Sequence, residues 1–368
     1  MVAETVFVND LFDEEITIDN EAFPWVHGIS IKAKLNTART VTIQFSTREG
    51  LEMCSVGRTI RIRTGKSDVA GGIDFVGKIK TVIPGFDVST ATAFDYIADL
   101  NSSELFNVKD NNFAGMDLLQ AAKSGLNNSE DDNLYQVDAD AQIDIGSLNT
   151  ACGVLYKPDQ GFEGYQTRKS FLDKIFAETY TLKPSSIYFG GAYPPLTYLR
   201  WFYAIRNNNV LETFQPDIYT NAPVAKVGPN SFSIIGKGLN ATIDTTRMIN
   251  SVAVVSDNTD YVAKYTDESS VHQYGSQSSL VSVKSSDPSR MDELAHGIVS
   301  TNNRPAGAYT IMLENGHWID VGNTIEVTIP SLGERKRFIV KEYTTTIKET
   351  ISTALTLGTG RITTSELV

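Results

Sequence analysis

The chain has 368 residues, of which 41% are hydrophobic and 21% are charged, and these are values of a globular protein large enough for two or three domains. Its net charge of −12 argues against a protein that grips nucleic acid through the phosphates, because such proteins carry a basic surface. No apolar run approaches the roughly 20 residues of a membrane span, and the first residues lack the basic region and apolar core of a signal peptide. We therefore expect a protein that is made and folded in a cytoplasm.

Residues 1 to about 105 contain a series of short segments in which apolar and polar residues alternate. This alternation is what a strand with one buried face requires. We predict strands that begin near Ile16, Ile29, Thr40, Thr59 and Ile73. Pro84-Gly85 ends the last of these, and a further strand is expected over 94–100.

Helical patterns appear after about residue 105. We predict a short helix over 116–123, stopped by Gly125, and a second one over 168–179 that Thr167 caps. Residues 188–205 are rich in aromatic side chains, and we interpret them as a buried strand. Strand-like segments then return over 206–246.

The last third of the chain alternates between strands and one helix. The segment 248–255 is its clearest strand, and 261–265 continues the same sheet. A helix is predicted after Ser286 or Asp287, with Pro288 in its first turn. Four more strands follow, over 308–313, 324–329, 337–342 and 352–357. This order predicts a β-rich α+β fold.

One nine-residue stretch occurs twice. The segment Ser55–Arg63 aligns with Asp320–Thr328, with identical Val, Gly, Thr and Ile residues at four positions. Each copy is followed by a turn and a second apolar strand, so the pattern predicts one β-hairpin in each of two similar β-domains. The candidate repeat residues are Val56, Gly57, Thr59, Ile60 and Ile62 in the first copy, and Val321, Gly322, Thr324, Ile325 and Val327 in the second.

Two segments superficially resemble ligand-binding motifs. Residues 236–241 follow a strand pattern, as a dinucleotide-binding loop does, but no helix pattern follows them, so we interpret them as a glycine turn. Residues 138–146 alternate acids with Ala and Ile, but Ile143 stands where a calcium loop needs Gly. A strand with a solvated acidic face is the favoured interpretation.

Catalytic motifs of the usual hydrolases and nucleotide-binding enzymes do not occur in the sequence. Asp173 and Glu178 would be candidates for a glycosidase pair, but five residues on one helix place them off a shared face. Cys54 and Cys152 are interpreted as separate thiols, not as a disulfide. We expect no catalytic residues, no cofactor and no bound metal.

The order of these features resembles the central baseplate hub proteins of tailed bacteriophages, also called the tail hub or late control protein family. Four segments carry the resemblance: Val56–Arg63 with the following 75–82, then 264–275 with its Tyr-Gly ending, the helix 287–301 followed by Arg304-Pro305, and 320–327 with the closing strands. Together they span most of the chain.

The resemblance implies two tail-tube-like β-barrel domains with inserted α+β segments. On this basis we expect a first barrel domain at 1–105, an inserted α+β domain at 106–205 with 247–304, a second barrel domain at 206–246 with 305–358, and a C-terminal tail at 359–368. It further implies a homotrimer, whose six barrels form a pseudo-sixfold ring with the two copies of the repeat related by about 60°.

Such a ring would adapt a sixfold tail tube to a threefold spike. The implied partners are other copies of the chain, a tail tube or distal tail protein on one side, and a central spike or fibre protein on the other; a tape-measure protein is a further candidate. DNA would pass through the channel without specific binding. The implied location is the tail tip or baseplate of a virion assembled in the host cytoplasm. Two alternatives stay open: a tail-associated cell-wall or polysaccharide hydrolase, and a receptor-binding distal tail protein.

Overall fold

The computed structural model describes residues 14–64, 74–102, 105–107, 113, 115–127, 164–178, 180–183, 187–188, 191–192, 197–206, 210–215, 222–228, 240–244, 246, 248–283, 285–303, 306–329 and 334–358. Strands dominate these residues, and helices are few.

The helices are α1 (Thr47–Gly50), α2 (Asp99–Ser102), α3 (Leu118–Asn127), α4 (Arg168–Glu178), α5 (Glu268–Tyr274) and α6 (Pro288–Asn302). The strands are β1 (Glu14–Ile18), β2 (Glu21–Ala22), β3 (Val26–Lys34), β4 (Thr40–Ser46), β5 (Thr59–Thr64), β6 (Asp74–Ile83), β7 (Val88–Phe94), β8 (Phe106–Asn107), β9 (Tyr165–Gln166), β10 (Tyr180–Lys183), β11 (Ile187–Tyr188), β12 (Gly191–Ala192), β13 (Thr197–Arg200), β14 (Phe202–Arg206), β15 (Val210–Phe214), β16 (Ala225–Val227), β17 (Asn240–Asp244), β18 (Ser251–Ser256), β19 (Thr259–Thr266), β20 (Ser278–Val283), β21 (Ala306–Glu314), β22 (Thr324–Ile329), β23 (Glu334–Ile347) and β24 (Ile351–Gly358).

One large sheet of 13 strands organises the fold. Its main path runs β17-β21-β24-β23-β3-β4-β7-β6-β5-β1-β2, and β22, which carries β16, attaches to β23. Every pairing in it is antiparallel except that of β16 with β22. The path is open at both ends among the described residues, so the two-barrel arrangement remains an expectation.

Alternation of side chains builds the core of this sheet. In β24, Ile351, Thr353, Leu355 and Leu357 are buried, while the residues between them are half-buried. The same period of two places Val41, Ile43 and Phe45 of β4 in the core, as the sequence predicts. Each such aliphatic or aromatic side chain stabilises the fold by roughly 1.5–3 kcal/mol.

Two smaller cores flank the large sheet. The first lies between α3, α4 and β14, with Phe171, Phe176 and Tyr203 fully buried. The second lies where α6 packs on the three-stranded sheet β19-β18-β20, through Val252, Val254 and Met291. Both sets of elements are inserted between the strands of the large sheet along the chain.

The predicted helix caps are present. The side-chain oxygen of Thr167 accepts a hydrogen bond from the backbone N–H of Ser170 at 3.1 Å, at the start of α4. The Asp287 side chain accepts one from the backbone N–H of Ser289 at 3.0 Å, with Pro288 as the first residue of α6. Each cap satisfies a backbone donor that has no partner inside the helix.

Three expectations are wrong. Residues 94–100 do not form a strand: β7 ends at Phe94, and the Asp95 carboxylate accepts the backbone N–H of Ile97 at 3.1 Å, which turns the chain toward α2. Gly125 does not stop its helix but lies inside α3, at a place where an added Cβ would sit 2.4 Å from the Phe171 ring. The segment 188–205 is not one strand, since β13 ends at Arg200 and β14 begins at Phe202.

Several predicted features lie outside the described residues. These are residues 229–239 of the strand-like region 206–246, which include most of the glycine turn at 236–241, and also the acidic segment 138–146, Cys152 and the tail 359–368.

Candidate assembly site

The repeated stretch forms the same tight turn at both places. Gly57 and Gly322 have φ angles of +93° and +77°, which favour glycine. The backbone N–H of Gly57 donates to the carbonyl of Ile79, and that of Gly322 donates to the carbonyl of Val340, both at 2.8 Å. The two glycines therefore have the same backbone conformation and the same hydrogen-bond role.

The hairpins continue in the same register. Ile79 returns a backbone N–H to the carbonyl of Arg58, and Val340 returns one to Asn323, both at 2.9 Å. Thr59 then lies opposite Lys78 in the first hairpin, as Thr324 lies opposite Ile339 in the second.

A β-bulge follows at the same point of each hairpin. The register of β6 against β7 shifts between Ile79 and Thr81, and that of β23 against β24 shifts between Val340 and Glu342. Lys80 and Lys341 are thus the extra residues of two corresponding bulges. A bulge bends and twists its strand, so both sheets turn in the same way at this position.

The correspondence extends beyond the hairpins to whole sheets. The order β3-β4-β7-β6-β5 in the first half of the chain repeats as β17-β21-β24-β23-β22 in the second. Following the register outward from the bulges pairs Ile43 with Ile311 and Phe45 with Leu313, and all four side chains are at most 1% exposed. We call these the first and second five-stranded sets.

The two sets join edge to edge within one chain. The part of β23 beyond its bulge pairs with β3, so that Glu342 lies opposite Lys34 and Ile347 opposite Ile29. The Lys32 ammonium lies 2.9 Å from the Glu342 carboxylate across this junction. The junction makes the two sets one continuous sheet.

The structure places most of the candidate repeat residues in the core. Ile60, Ile62, Ile325 and Val327 are at most 1% exposed. The valines of the two copies differ in solvent exposure, since Val56 is 63% exposed whereas Val321 is 1% exposed. Thr324 is buried, whereas Thr59, Gly57 and Gly322 are half-buried or exposed. The repeat therefore shapes the sheets, and their accessible edges are formed by other residues that the sequence pattern does not reveal.

One buried ion pair holds the first set together. Arg39 Nε lies 3.3 Å from Asp95 Oδ2, and the backbone N–H of Arg39 donates to the same oxygen at 2.9 Å. Both side chains are at most 2% exposed. Burial raises the pKa of Asp95 to about 6, although the charge of Arg39 acts in the opposite direction. The pair fixes the start of β4 against the turn after β7, away from any solvent-exposed surface.

Asp173 belongs to a second structural network. The Tyr203 hydroxyl donates to Asp173 at 2.5 Å, and the Lys169 ammonium lies 2.5 Å from the same carboxylate. The backbone N–H of Tyr203 donates to the Asn36 side chain at 2.9 Å. Burial and the neighbouring Asp173 raise the pKa of Tyr203 well above its usual range. These contacts tie α4 and β14 to the turn after β3; the side chain of Glu178 lies outside the described residues.

Cys54, the three tryptophans and His296 have packing roles. Cys54 is a buried thiol whose pKa burial raises to about 12, so it is not a reactive nucleophile. Trp25 and Trp318 pack against the core of the large sheet, and Trp201 packs against the first smaller core. The His296 ring packs against the Tyr265 ring, with 3.7 Å between the centroids and an angle of 36° between the ring planes.

No group of three or more His, Cys, Asp or Glu side chains in the described ranges could hold a metal ion. Within the same part of the chain, no helix has the length and apolar character needed to span a membrane.

Comparison with known proteins identifies the fold. No protein-family model and no curated protein sequence matches the chain. A tail protein from Neisseria meningitidis MC58 superposes with a TM-score of 0.67 at 14% identity, over 94% of this chain and 95% of that one. The 43 kDa tail protein of prophage MuSo2 from Shewanella oneidensis does so with a TM-score of 0.63 at 10% identity, over 96% and 99%.

A component of the type VI secretion system from E. coli, described as structurally similar to tail proteins of bacteriophage T4, has a TM-score of 0.52 at 10% identity, over 93% of this chain and 76% of that one. At these identities the likeness concerns the fold. The chain therefore has the fold of phage tail proteins, as the resemblance in its sequence predicted.

Proposed function

We propose that this chain is the structural baseplate hub of a phage tail, a homotrimer that forms a pseudo-sixfold ring. In this role it adapts a sixfold tail tube to a threefold central spike or fibre, and the ring lines the channel for DNA. The observation that carries the proposal is the internal duplication, in which two five-stranded sets share their strand order, glycine turn and bulge.

Symmetry connects this duplication to the adaptor role. Three copies of a chain that carries two equivalent sheets present six equivalent sheets around one axis. The same trimer presents its other segments three times. One assembly can then match a sixfold partner on one face and a threefold partner on the other.

The comparisons and the charge support a structural tail role. The similar structures are tail proteins and a secretion-system component. A net charge of −12 suits a channel wall that must repel DNA. The proposed partners are other copies of the chain, a tail tube or distal tail protein, and a spike or fibre protein, with a tape-measure protein as a further candidate, in the tail tip or baseplate of a virion.

The proposed domain division follows the same logic. The first barrel domain at 1–105 contains the first five-stranded set, and the second, at 206–246 with 305–358, contains the second set. The residues 106–205 with 247–304 form the inserted α+β domain. The repeat residues Val56–Ile62 and Val321–Val327 are proposed to occupy equivalent places in the ring.

Multi-angle light scattering of the purified chain tests the proposal. We expect a species with three times the mass of one chain at micromolar concentration. A uniform monomer under these conditions would contradict the ring. A cell-wall zymogram run on the same sample separates the hub from the hydrolase alternative, and clearing of the gel would favour the enzyme.

A further inference from the structure

The two five-stranded sets differ at one edge. Beyond its bulge, β23 pairs with β24 on one side and with β3 on the other, over 342–347. The corresponding part of β6 is Thr81–Ile83, which pairs with β7 on one side. No strand among the described residues pairs with its other side.

Solvent exposure reports the same difference. By register, Val82 corresponds to Tyr343, and Ile83 corresponds to Thr344. Val82 is half-buried whereas Tyr343 is 1% exposed, and Ile83 is 61% exposed whereas Thr344 is half-buried. Phe86 at the hairpin tip is fully exposed. An exposed strand edge with apolar side chains is a surface on which another strand can add. The corresponding edge of β23 is covered by β3, and this indicates which kind of strand covers the edge of β6.

Strand β3, which covers the edge of β23, corresponds to β17 in the second set. In the first set Ile31 of β3 lies opposite Val41, and in the second set Ala241 of β17 lies opposite Tyr309. Since Val41 and Tyr309 correspond by register, β17 stands in the second set where β3 stands in the first. The outer edge of β17 has no partner among the described residues, and it is the edge that β3 uses to join β23.

We propose that copies of this chain join by antiparallel pairing of β17 in one copy with Thr81–Ile83 of β6 in the next. This contact between two copies has the same strand pairing as the junction of β3 with β23 inside each chain. Its occupant is thus a second copy of the chain. The inference rests on the proposed ring and names the contact that closes it.

The internal junction also sets the register. There, Glu342 lies opposite Lys34, Tyr343 opposite Ala33 and Thr344 opposite Lys32. Carried over to the contact between copies, this register places Thr81 opposite Asp244, Val82 opposite Ile243, and Ile83 opposite Thr242. The two edges are different surfaces, so the contact is head-to-tail and generates a ring when its rotation closes.

Paired cysteines test the register. Directly opposite residues of antiparallel strands have Cα atoms about 4.5–5.5 Å apart, within the range of a disulfide. The variant combines V82C and I243C in a C152S background, and the native Cys54 is buried. Mild oxidation should convert the monomer band of a non-reducing gel into covalent trimers. Either single cysteine variant should remain monomeric on that gel.

A matched variant controls for the register. V82C with A241C moves one thiol two residues along β17, to a diagonal separation of roughly 7–8 Å. It should crosslink much less than V82C with I243C. Equal crosslinking of the two pairs would overturn the proposed register.

A charge at the edge tests the contact without new bonds. Ile83→Asp should shift the trimer toward monomer in light scattering, because it puts a carboxylate into the paired edge. Leu280→Asp is the control, since Leu280 is 70% exposed on β20 of the separate three-stranded sheet. Circular dichroism spectra that match the parent chain show that both variants are folded.

The outcomes separate this inference from the proposed function. A trimeric parent chain with no crosslink between positions 82 and 243, or a folded Ile83→Asp variant that stays trimeric, overturns the junction and leaves the ring standing. A parent chain that stays monomeric overturns the ring and the junction together.

Discussion

Replacing Gly57 or Gly322 by alanine should destabilise its own hairpin by a similar amount. Both glycines have positive φ angles, of +93° and +77°. An L-residue in this region loses roughly 1–2 kcal/mol relative to glycine. A Cβ added at Gly57 meets no atom within 4 Å, so at that position the loss comes from the backbone conformation alone.

Hydrogen exchange read by mass spectrometry can follow each hairpin separately, through peptides that cover β5 and β22. A loss of about 1–2 kcal/mol corresponds to roughly 5–30-fold faster exchange where local opening limits it. Asparagine tolerates positive φ better than alanine, so Gly57→Asn and Gly322→Asn should lose less than the alanine variants.

The preceding valines provide the internal contrast. Val56 is 63% exposed and Val321 is 1% exposed. Val56→Ala should change stability by less than about 0.5 kcal/mol, whereas Val321→Ala should destabilise by about 2 kcal/mol. If alanine lowers stability at one of the two glycines and leaves it unchanged at the other, the two turns are not equivalent. If alanine lowers stability equally at the two valines, the difference in their burial is refuted.

Substitutions in the two buried networks and at the half-buried His296 can be followed by urea unfolding. Asp95→Ala should destabilise the chain by roughly 3–5 kcal/mol because it removes the carboxylate that pairs with the buried Arg39 charge. Adding Arg39→Met should recover part of this loss. A loss below about 1 kcal/mol would mean that the pair is solvated. Tyr203→Phe should cost about 1–3 kcal/mol, since its hydroxyl donates to a carboxylate, and an unchanged midpoint would contradict that hydrogen bond. Burial lowers the pKa of His296 below 6.5. The contribution of His296 to stability is therefore present above pH 6.5 and is lost as the pH falls through the lowered pKa. His296→Gln should flatten the dependence of stability on pH in that window, and an unchanged slope would count against this assignment.

Local signals made part of this fold predictable. Thr167 and Asp287 marked the starts of α4 and α6, because a cap and the apolar stripe that follows it are close together in sequence. Helix α5 was missed, although the Asp267 side chain accepts the backbone N–H of Ser270 at 3.1 Å as its cap. Its seven residues are too few to show an apolar stripe.

Tertiary packing explains the expectations that were wrong. Tyr96, Ile97 and Leu100 are apolar because they enter the core with α3 and α4, and the sequence does not distinguish such a buried turn from a strand. Gly125 is a glycine because Phe171 occupies the space of a side chain, and Phe171 is distant in sequence.

The candidate site was predictable only in part. The glycine turns appear in the sequence because a positive φ restricts the residue type. The bulges at Lys80 and Lys341 and the junction of β23 with β3 leave no such signal, since backbone pairing between distant strands places little constraint on which residues take part. The exposed edge of β6 becomes visible only when the two five-stranded sets are compared.

Electron-microscopy class averages of the purified chain test the central claim most directly. We expect rings with threefold symmetry and six lobes of similar size around a central channel. Single-copy particles, or rings whose symmetry is not a multiple of three, would contradict it.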